Sequence, residues 1–346
     1  MRYVSIFSGI EAASVAWEPL GWEPVAFSEI EAFPSAVLAA RYPRVPNLGD
    51  ITKIDWSEHD DCRTADVLVG GSPCQSFSIA GSRTGLNGAS GLMWEYVRAV
   101  RELRPRWLVW ENVPGALSSS HGEDFACLLR ALDGLGYGLA WRVLDAQYFG
   151  VAQRRRRLFI VGSLGDQRAC DVLFEPDCLR WDHPTGREKR QALAVQAQNG
   201  PGGADDGGGC LNPWDTQSRR VYRPDGAWPT LDTRARSGGD GRAVVCATDS
   251  VANAAVAEDL APTLTAHEGK SASHVSGYGP IRRLTPKECE RLQGFPDQWT
   301  DVPYRGKEHA PDSPRYKALG NSMAVPVMAW IGRRIQQTEE AGHEHG

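Results

Sequence analysis

The sequence predicts an α/β protein built on a mostly parallel open sheet, and three observations carry that expectation. Short apolar runs of strand length alternate with stretches of helical periodicity through the first half of the chain. The runs end in loops rich in glycine, serine and acidic residues, as they do where strands stop at the carboxyl edge of such a sheet. With 346 residues, 41% of them hydrophobic, the chain can bury one large core and a smaller second one.

The elements follow in order. Tyr3 to Phe7 reads as a strand, Ala12 to Leu20 as a helix, Val25 to Phe27 as a strand and Ala32 to Arg41 as a helix. Val67 to Val69 is the next strand, Leu92 to Leu103 a helix, Trp107 to Trp110 a strand, Phe125 to Leu135 a helix and Leu158 to Val161 a strand. From about Leu164 the texture changes. Gly200 to Gly209 is mostly glycine, aspartate and alanine, and the segment to about Gly279 mixes short runs with turn residues and arginines, which suits a loop-rich, β-leaning module. "WPTLDTRARSGG" from Trp228 and "APTLTAHEGKS" from Ala261 share a Pro-Thr-Leu echo. Order returns at Arg282. Thr285, with Pro286 at the first helical position and Glu288 three residues on, is a capping-box start, and Gly294 is the stop. A closing helix is expected from about Pro326, with the polar residues Thr338 to Gly346 frayed. These readings divide the chain into 1–163, 164–280 and 281–346.

Composition narrows the class. No stretch approaches the roughly 20 apolar residues of a spanning helix, and the N-terminus runs straight into a strand, so a soluble cytoplasmic protein is expected. The eight cysteines show no Cys-x-x-Cys pair and no zinc-type spacing with histidine, which argues against a disulfide framework and a structural metal. A formal net charge of -5 means that any nucleic acid must be held by local patches rather than by the average field.

The strand-end loops carry the chemistry. "FSGIEAAS", Phe7 to Ser14, follows the first strand, opens a helix and offers backbone N–H groups around a glycine. Glu29 ends the second strand, and Asp50 follows in "LGD". Acids there can accept hydrogen bonds from ribose hydroxyls and an adenine amino group, and equally can be ordinary solvated carboxylates. Cys74, in "GGSPCQSFS", sits in a polar turn just past the third strand, where a thiolate could be exposed and stabilised by N–H groups; position alone leaves a nucleophile and a small buried residue equally open. "WENVPG" puts Glu111 at the end of an apolar strand, and "AQRRRRLFIVG" drives four arginines into another, so that alternate guanidinium groups must point to opposite faces.

Taken together these residues resemble the bacterial DNA (cytosine-5) methyltransferases, and the resemblance covers nearly the whole chain. The motifs fall in the family's order: Phe7-x-Gly9, Glu29, Gly49-Asp50, Pro73-Cys74-Gln75, Glu111-Asn112-Val113, Gln153-x-Arg155-x-Arg157, Arg283-Leu284-Thr285-Pro286 with Gln293-Gly294-Phe295-Pro296, and Gly320-Asn321-Ser322. The chain departs from the pattern at Glu11 and Ala12, where the family's cofactor loop usually has glycines.

The resemblance implies a Rossmann-like methyltransferase sheet and S-adenosyl-L-methionine as cofactor. Phe7, Ser8 and Gly9 would surround its methionine part, Glu29 would hold the ribose and Asp50 the adenine amino group. Pro73 and Leu92 would line the pocket, and Asn321 with Ser322 would complete it. It implies Cys74 as the nucleophile at carbon-6 of a flipped-out cytosine, Glu111 on the ring nitrogen N3 and amino group, and Arg155 and Arg157 as stabilisers able to reach the carbonyl oxygen O2. The polar segment after Cys74 would cover the base. The 164–280 module would recognise duplex DNA, with Arg219, Arg220, Arg234, Arg236 and Arg242 as candidates for phosphate or guanine contacts. A monomer with a companion restriction endonuclease, in a restriction-modification setting, fits the family. Two rivals remain: a tRNA cytosine methyltransferase of the same fold, whose relatives usually show Cys-Phe-Thr, and a catalytically silent DNA-binding relative.

Overall fold

Strands β1 (Arg2–Ile6), β2 (Glu23–Ser28), β3 (Val67–Gly70), β4 (Trp107–Asn112), β5 (Tyr137–Asp145) and β6 (Arg156–Leu164) form one sheet in the order β2-β1-β3-β4-β6-β5. The computed structural model describes residues 1–72, 91–174, 274–275 and 282–344. β1, β2, β3 and β4 pair in parallel; β6 runs against both β4 and β5. The mostly parallel sheet is thus as expected, with one reversed strand inserted by the β5–β6 hairpin.

Each helix has a local reason. α1 (Ala12–Trp17) continues into a 3-10 turn, Glu18–Leu20, closed at Gly21. α2 (Ala32–Arg41) lies between β2 and the crossover to β3, and α3 (Gly91–Leu103) and α4 (Glu123–Gly134) flank β4. Burying Tyr96, Val100, Leu128 and Leu132 of α3 and α4 against Val4, Ile6, Leu108, Trp110 and Ile160 builds the main core. A fully buried apolar side chain contributes roughly 1.5–3 kcal/mol, so this layer dominates the stability of the sheet.

The opposite face is closed from the far end of the sequence. α5 (Ala169–Leu173) and α8 (Val325–Glu344) pack together, and α8 lies on α1, where the Trp17 indole donates to the Met328 carbonyl at 2.8 Å. Between them, α6 (Pro286–Gln293) starts at the expected capping box, with Thr285 and Glu288 each accepting from the other's backbone N–H, and stops at Gly294. α7 (Asp312–Asn321) was not legible in the sequence. The expectation of a frayed tail is overturned: α8 runs through Glu344, because buried Glu339 accepts from Trp107 Nε1 at 3.0 Å and from the guanidinium groups of Arg106 and Arg168.

The larger compact unit of the chain includes Met1–Leu173 and Thr285–Gly346. The described part of the other unit contains the antiparallel pair β7 (His274–Val275) and β8 (Arg282–Arg283). The Pro-Thr-Leu echo, the β-leaning body of the 164–280 module and its five candidate arginines lie outside the described residues. No described helix is long and apolar enough to cross a membrane.

Candidate active site

The chain runs from β1 outward to β2 and then returns to β3 on the other side of β1, so a topological switch falls between β1 and β3. A crevice opens there outside the carboxyl ends of the strands, which is where such sheets bind ligands. It is an open pocket lined by Phe7, Ser8, Gly9 and Glu11 after β1, Gly71 after β3, Glu111 on β4, and Asn321, Ser322 and Met323 at the end of α7. Among the described residues, Glu29, Asp50, Leu92, Arg155 and Arg157 are expected site residues outside this lining; Pro73 and Cys74 lie outside the described residues.

The loop after β1 is tightly wound. Phe7 (φ 53), Gly9 (φ 58) and Glu11 (φ 64) all take left-handed conformations, a costly arrangement for the two non-glycines that is typical of ligand clamps. Hydrogen bonds hold it: Ser8 N–H donates to the Ser28 carbonyl at 3.1 Å, and Gly9 N–H donates to Glu29 Oε2 at 2.8 Å. Glu29 also accepts from Glu31 N–H at 2.7 Å. Burial raises its pKa, partly offset by these two backbone donors. Beside it Ile30 is 69% exposed, an apolar surface at the edge of the loop that the sequence reading did not single out. Asp50 caps its own 3-10 turn, Ile51–Lys53, accepting from Thr52 N–H at 3.1 Å and Thr52 Oγ1 at 2.8 Å, and Thr52 holds its carboxyl below the usual range.

The exit of β3 is fixed by β4. Asn112 Nδ2 donates to the Ser72 carbonyl at 2.9 Å and Trp110 Nε1 to Ser72 Oγ at 3.3 Å, so the strand that leads into Pro73 and Cys74 is anchored to the strand that carries Glu111. Gly71 sits in a crowded place: a Cβ there would meet the Glu111 carbonyl oxygen at 3.0 Å and Oε2 at 3.1 Å, closer than ordinary van der Waals contact. Ser72, Asn112 and Gly71 were not predicted as site residues; Asn112 had a signal in the Glu-Asn-Val motif.

The arginine run alternates as expected, with Arg154 and Arg156 exposed, Arg155 buried and Arg157 half-buried. Arg157 Nε lies 3.2 Å from Glu111 Oε1. Burial pushes the Glu111 pKa up, opposed by the charges of Arg157 and Arg155. Arg155 has a different neighbourhood. Its Nη2 donates to the Ser322 carbonyl at 2.6 Å and the Gly320 carbonyl at 3.2 Å, while burial, and then the charge of Arg157, lower its pKa to about 9. Arg155 therefore ties the Asn321–Ser322 turn to the start of β6, which pairs with β4, the strand that carries Glu111.

A parallel-sheet switch point, a strained glycine loop and an acid at the next strand's end define a Rossmann-like methyltransferase. The C-5 cytosine-specific DNA methylase family model matches residues 1–337, and the chain belongs to this family. Among its relatives, a protein of Escherichia phage P1 named DNA N-6-adenine-methyltransferase is 36% identical over 96% of this chain; the chain spans only 61% of that protein. The type II methyltransferase M.SsoII of Shigella sonnei is 30% identical, covering 97% of this chain and 80% of its own length, and M.NgoPII of Neisseria gonorrhoeae is 27% identical, covering 98% and 96%. In structure the chain is similar to Dnmt2 of S. pombe, with a TM-score of 0.60 at 17% identity over 97% of this chain and 99% of the other, a likeness of fold.

The family implies S-adenosylmethionine, and the residues present fit it. The pocket lies at the carboxyl edge of the sheet, its loop is close to backbone donors, and it contains a buried carboxylate oxygen, Glu11 Oε2, with no hydrogen-bond partner.

Proposed function

We propose that the protein is a DNA (cytosine-5) methyltransferase that modifies a flipped-out cytosine within a specific duplex sequence. The observation that carries this is the pairing of buried Glu111 with Arg157 at the carboxyl edge of the sheet, one strand away from the exit that leads to Cys74. S-adenosylmethionine, when bound, supplies an electrophilic methyl group. Phe7, Ser8 and Gly9 would hold its methionine part, Glu29 the ribose with Ile30 against the adenine, Asp50 the amino group, and Pro73, Leu92, Asn321 and Ser322 the remaining walls.

The chain's own residues would act in sequence. Carbon-6 is sandwiched in a stacked duplex, so the base must leave the helix before a thiol reaches it. The Cys74 thiolate forms a bond to carbon-6, and the ring electrons move toward N3 and onto carbon-5. Glu111, whose burial favours the protonated form, shares a proton with N3 and neutralises the charge that develops there. Arg157 steadies the Glu111 carboxyl and Arg155 positions the turn that closes the cofactor side. With the methyl group on carbon-5, N3 would return its proton to Glu111, the carbon-5 proton would leave to a base, and the bond between carbon-6 and sulfur would break to release the Cys74 thiolate. The residues from about 164 to 280 would supply target recognition, with Arg219, Arg220, Arg234, Arg236 and Arg242 sharing phosphate and base contacts.

Methyl-labelled cofactor, duplex DNA and tRNA test the reading directly. Label should enter duplex DNA and be recovered as 5-methylcytosine after nucleoside hydrolysis, and Cys74→Ser should lose nearly all of it. Label in N6-methyladenine, label in tRNA alone, or full transfer by Cys74→Ser would each overturn the proposal.

A further inference from the structure

Glu11 stands where the family's cofactor loop usually has glycine, and its surroundings give that departure a use. The residue is 1% exposed, precedes α1 and lines the pocket beside Gly9. One oxygen, Oε1, accepts from Ser14 N–H at 3.2 Å, and the Ser5 and Ser14 hydroxyls lie by the carboxyl and favour its charged form, whereas Oε2 itself has no partner in hydrogen-bond geometry. A buried carboxylate oxygen left unsatisfied is expensive unless a ligand completes it. The groups facing it are Tyr3 and Ser5 from β1, Ser14 from α1, Tyr42 after α2, Glu18 after α1 and Glu29 after β2, and none of them is cationic. Glu111 lines the same pocket and adds another acid.

A cation is therefore the complementary partner. We propose that Glu11 Oε2 binds the α-ammonium of the cofactor's methionine end, so that this chain recognises the amino-acid portion with a charged side chain. The proposal rests on the cofactor reading above. The cofactor has two positive centres: the sulfonium must face the reacting base beside Glu111, which leaves the ammonium for the carboxylate of the loop. A charge-assisted hydrogen bond in a buried site is among the stronger polar contacts available.

Two nucleosides separate this role from a general one in shaping the loop. S-adenosylhomocysteine keeps the amino-acid end and 5′-methylthioadenosine lacks it, while both keep the adenine and ribose. In calorimetric titrations of the full chain at about pH 8, Glu11→Gln should weaken S-adenosylhomocysteine about tenfold or more and leave 5′-methylthioadenosine unchanged. Unchanged binding of the truncated nucleoside also shows that the variant is folded. Burial raises the Glu11 pKa to about 7, so near that pH the wild type should release protons when S-adenosylhomocysteine binds, and Glu11→Gln should release fewer. Equal affinity of both proteins for S-adenosylhomocysteine, equal losses for both nucleosides, or tighter binding by the variant would overturn the assignment. Failure of the wild type to bind either nucleoside would instead overturn the cofactor reading, and the assignment with it.

Discussion

At the scale of single residues, the pocket spends stability on poised acids. Glu11 shows the sign of the effect. Its pKa rises from an ordinary 4.5 to about 7, chiefly because burial disfavours the charged form, with the neighbouring Ser5 and Ser14 pulling it back. A carboxyl raised in the folded state gives its full contribution below the unfolded value and loses it as pH climbs through the folded one. Without cofactor, the unfolding free energy of Glu11→Gln relative to wild type should therefore gain on the order of 2–3 kcal/mol between about pH 5 and 8. Urea unfolding of both proteins across that range measures it, and parallel pH curves would refute it. The motif acids and arginines were legible in the sequence because each follows a recognisable strand. The partners of Glu11 were not, since Ser5, Tyr3 and Tyr42 reach it from separate elements and no local pattern records that meeting.

Among elements, legibility followed how cleanly burial alternates with sequence. α2 matched its expected range, and α6 was readable from its cap, because apolar spacing and capping residues are local signals. β5 was missed: it is an edge strand that leaves Trp141 exposed, so its residues show no simple two-residue alternation. α7 was missed because polar side chains do the work of apolar ones, with buried Arg315 donating to Glu290 at 3.2 Å and to Thr300 Oγ1 at 2.9 Å. The tail of α8 misled for the same reason. Its acidic residues look solvated, yet Glu339 is 7% exposed and accepts from the buried indole of Trp107. Glu339→Ala should destabilise the protein by about 1–3 kcal/mol, since it leaves the buried Trp107 N–H without its acceptor. Arg106 is half exposed and adds little to that sum. A denaturation midpoint equal to wild type would show that the tail is dispensable.

For the whole molecule, the described lining of the pocket comes from the first 111 residues and from the end of α7. Phe7, Gly9 and Glu11 come from the first loop, and Asn321, Ser322 and Met323 from the turn after α7. Arg155 holds the second of these through the carbonyls of Gly320 and Ser322, and Trp17 of α1 links the two ends of the sequence through the Met328 carbonyl. The proposed function assigns cofactor binding to these parts of the chain and target recognition to the segment between them. Replacing residues 175–273 by a flexible Gly/Ser linker should leave the affinity for S-adenosylhomocysteine within about threefold of wild type, a change of under 1 kcal/mol. Under the proposed function the same deletion should remove sequence-specific DNA binding and methyl transfer, because that reading assigns the base contacts to the replaced segment. The formal net charge of -5 sharpens the expectation, for without a focused basic patch the remaining chain has little to attract a polyanion. Calorimetry with the nucleoside and gel shift with duplex DNA read the two halves independently. Loss of nucleoside binding in a variant that still unfolds cooperatively would mean that the middle of the chain helps to build the cofactor pocket, and the separation would fail.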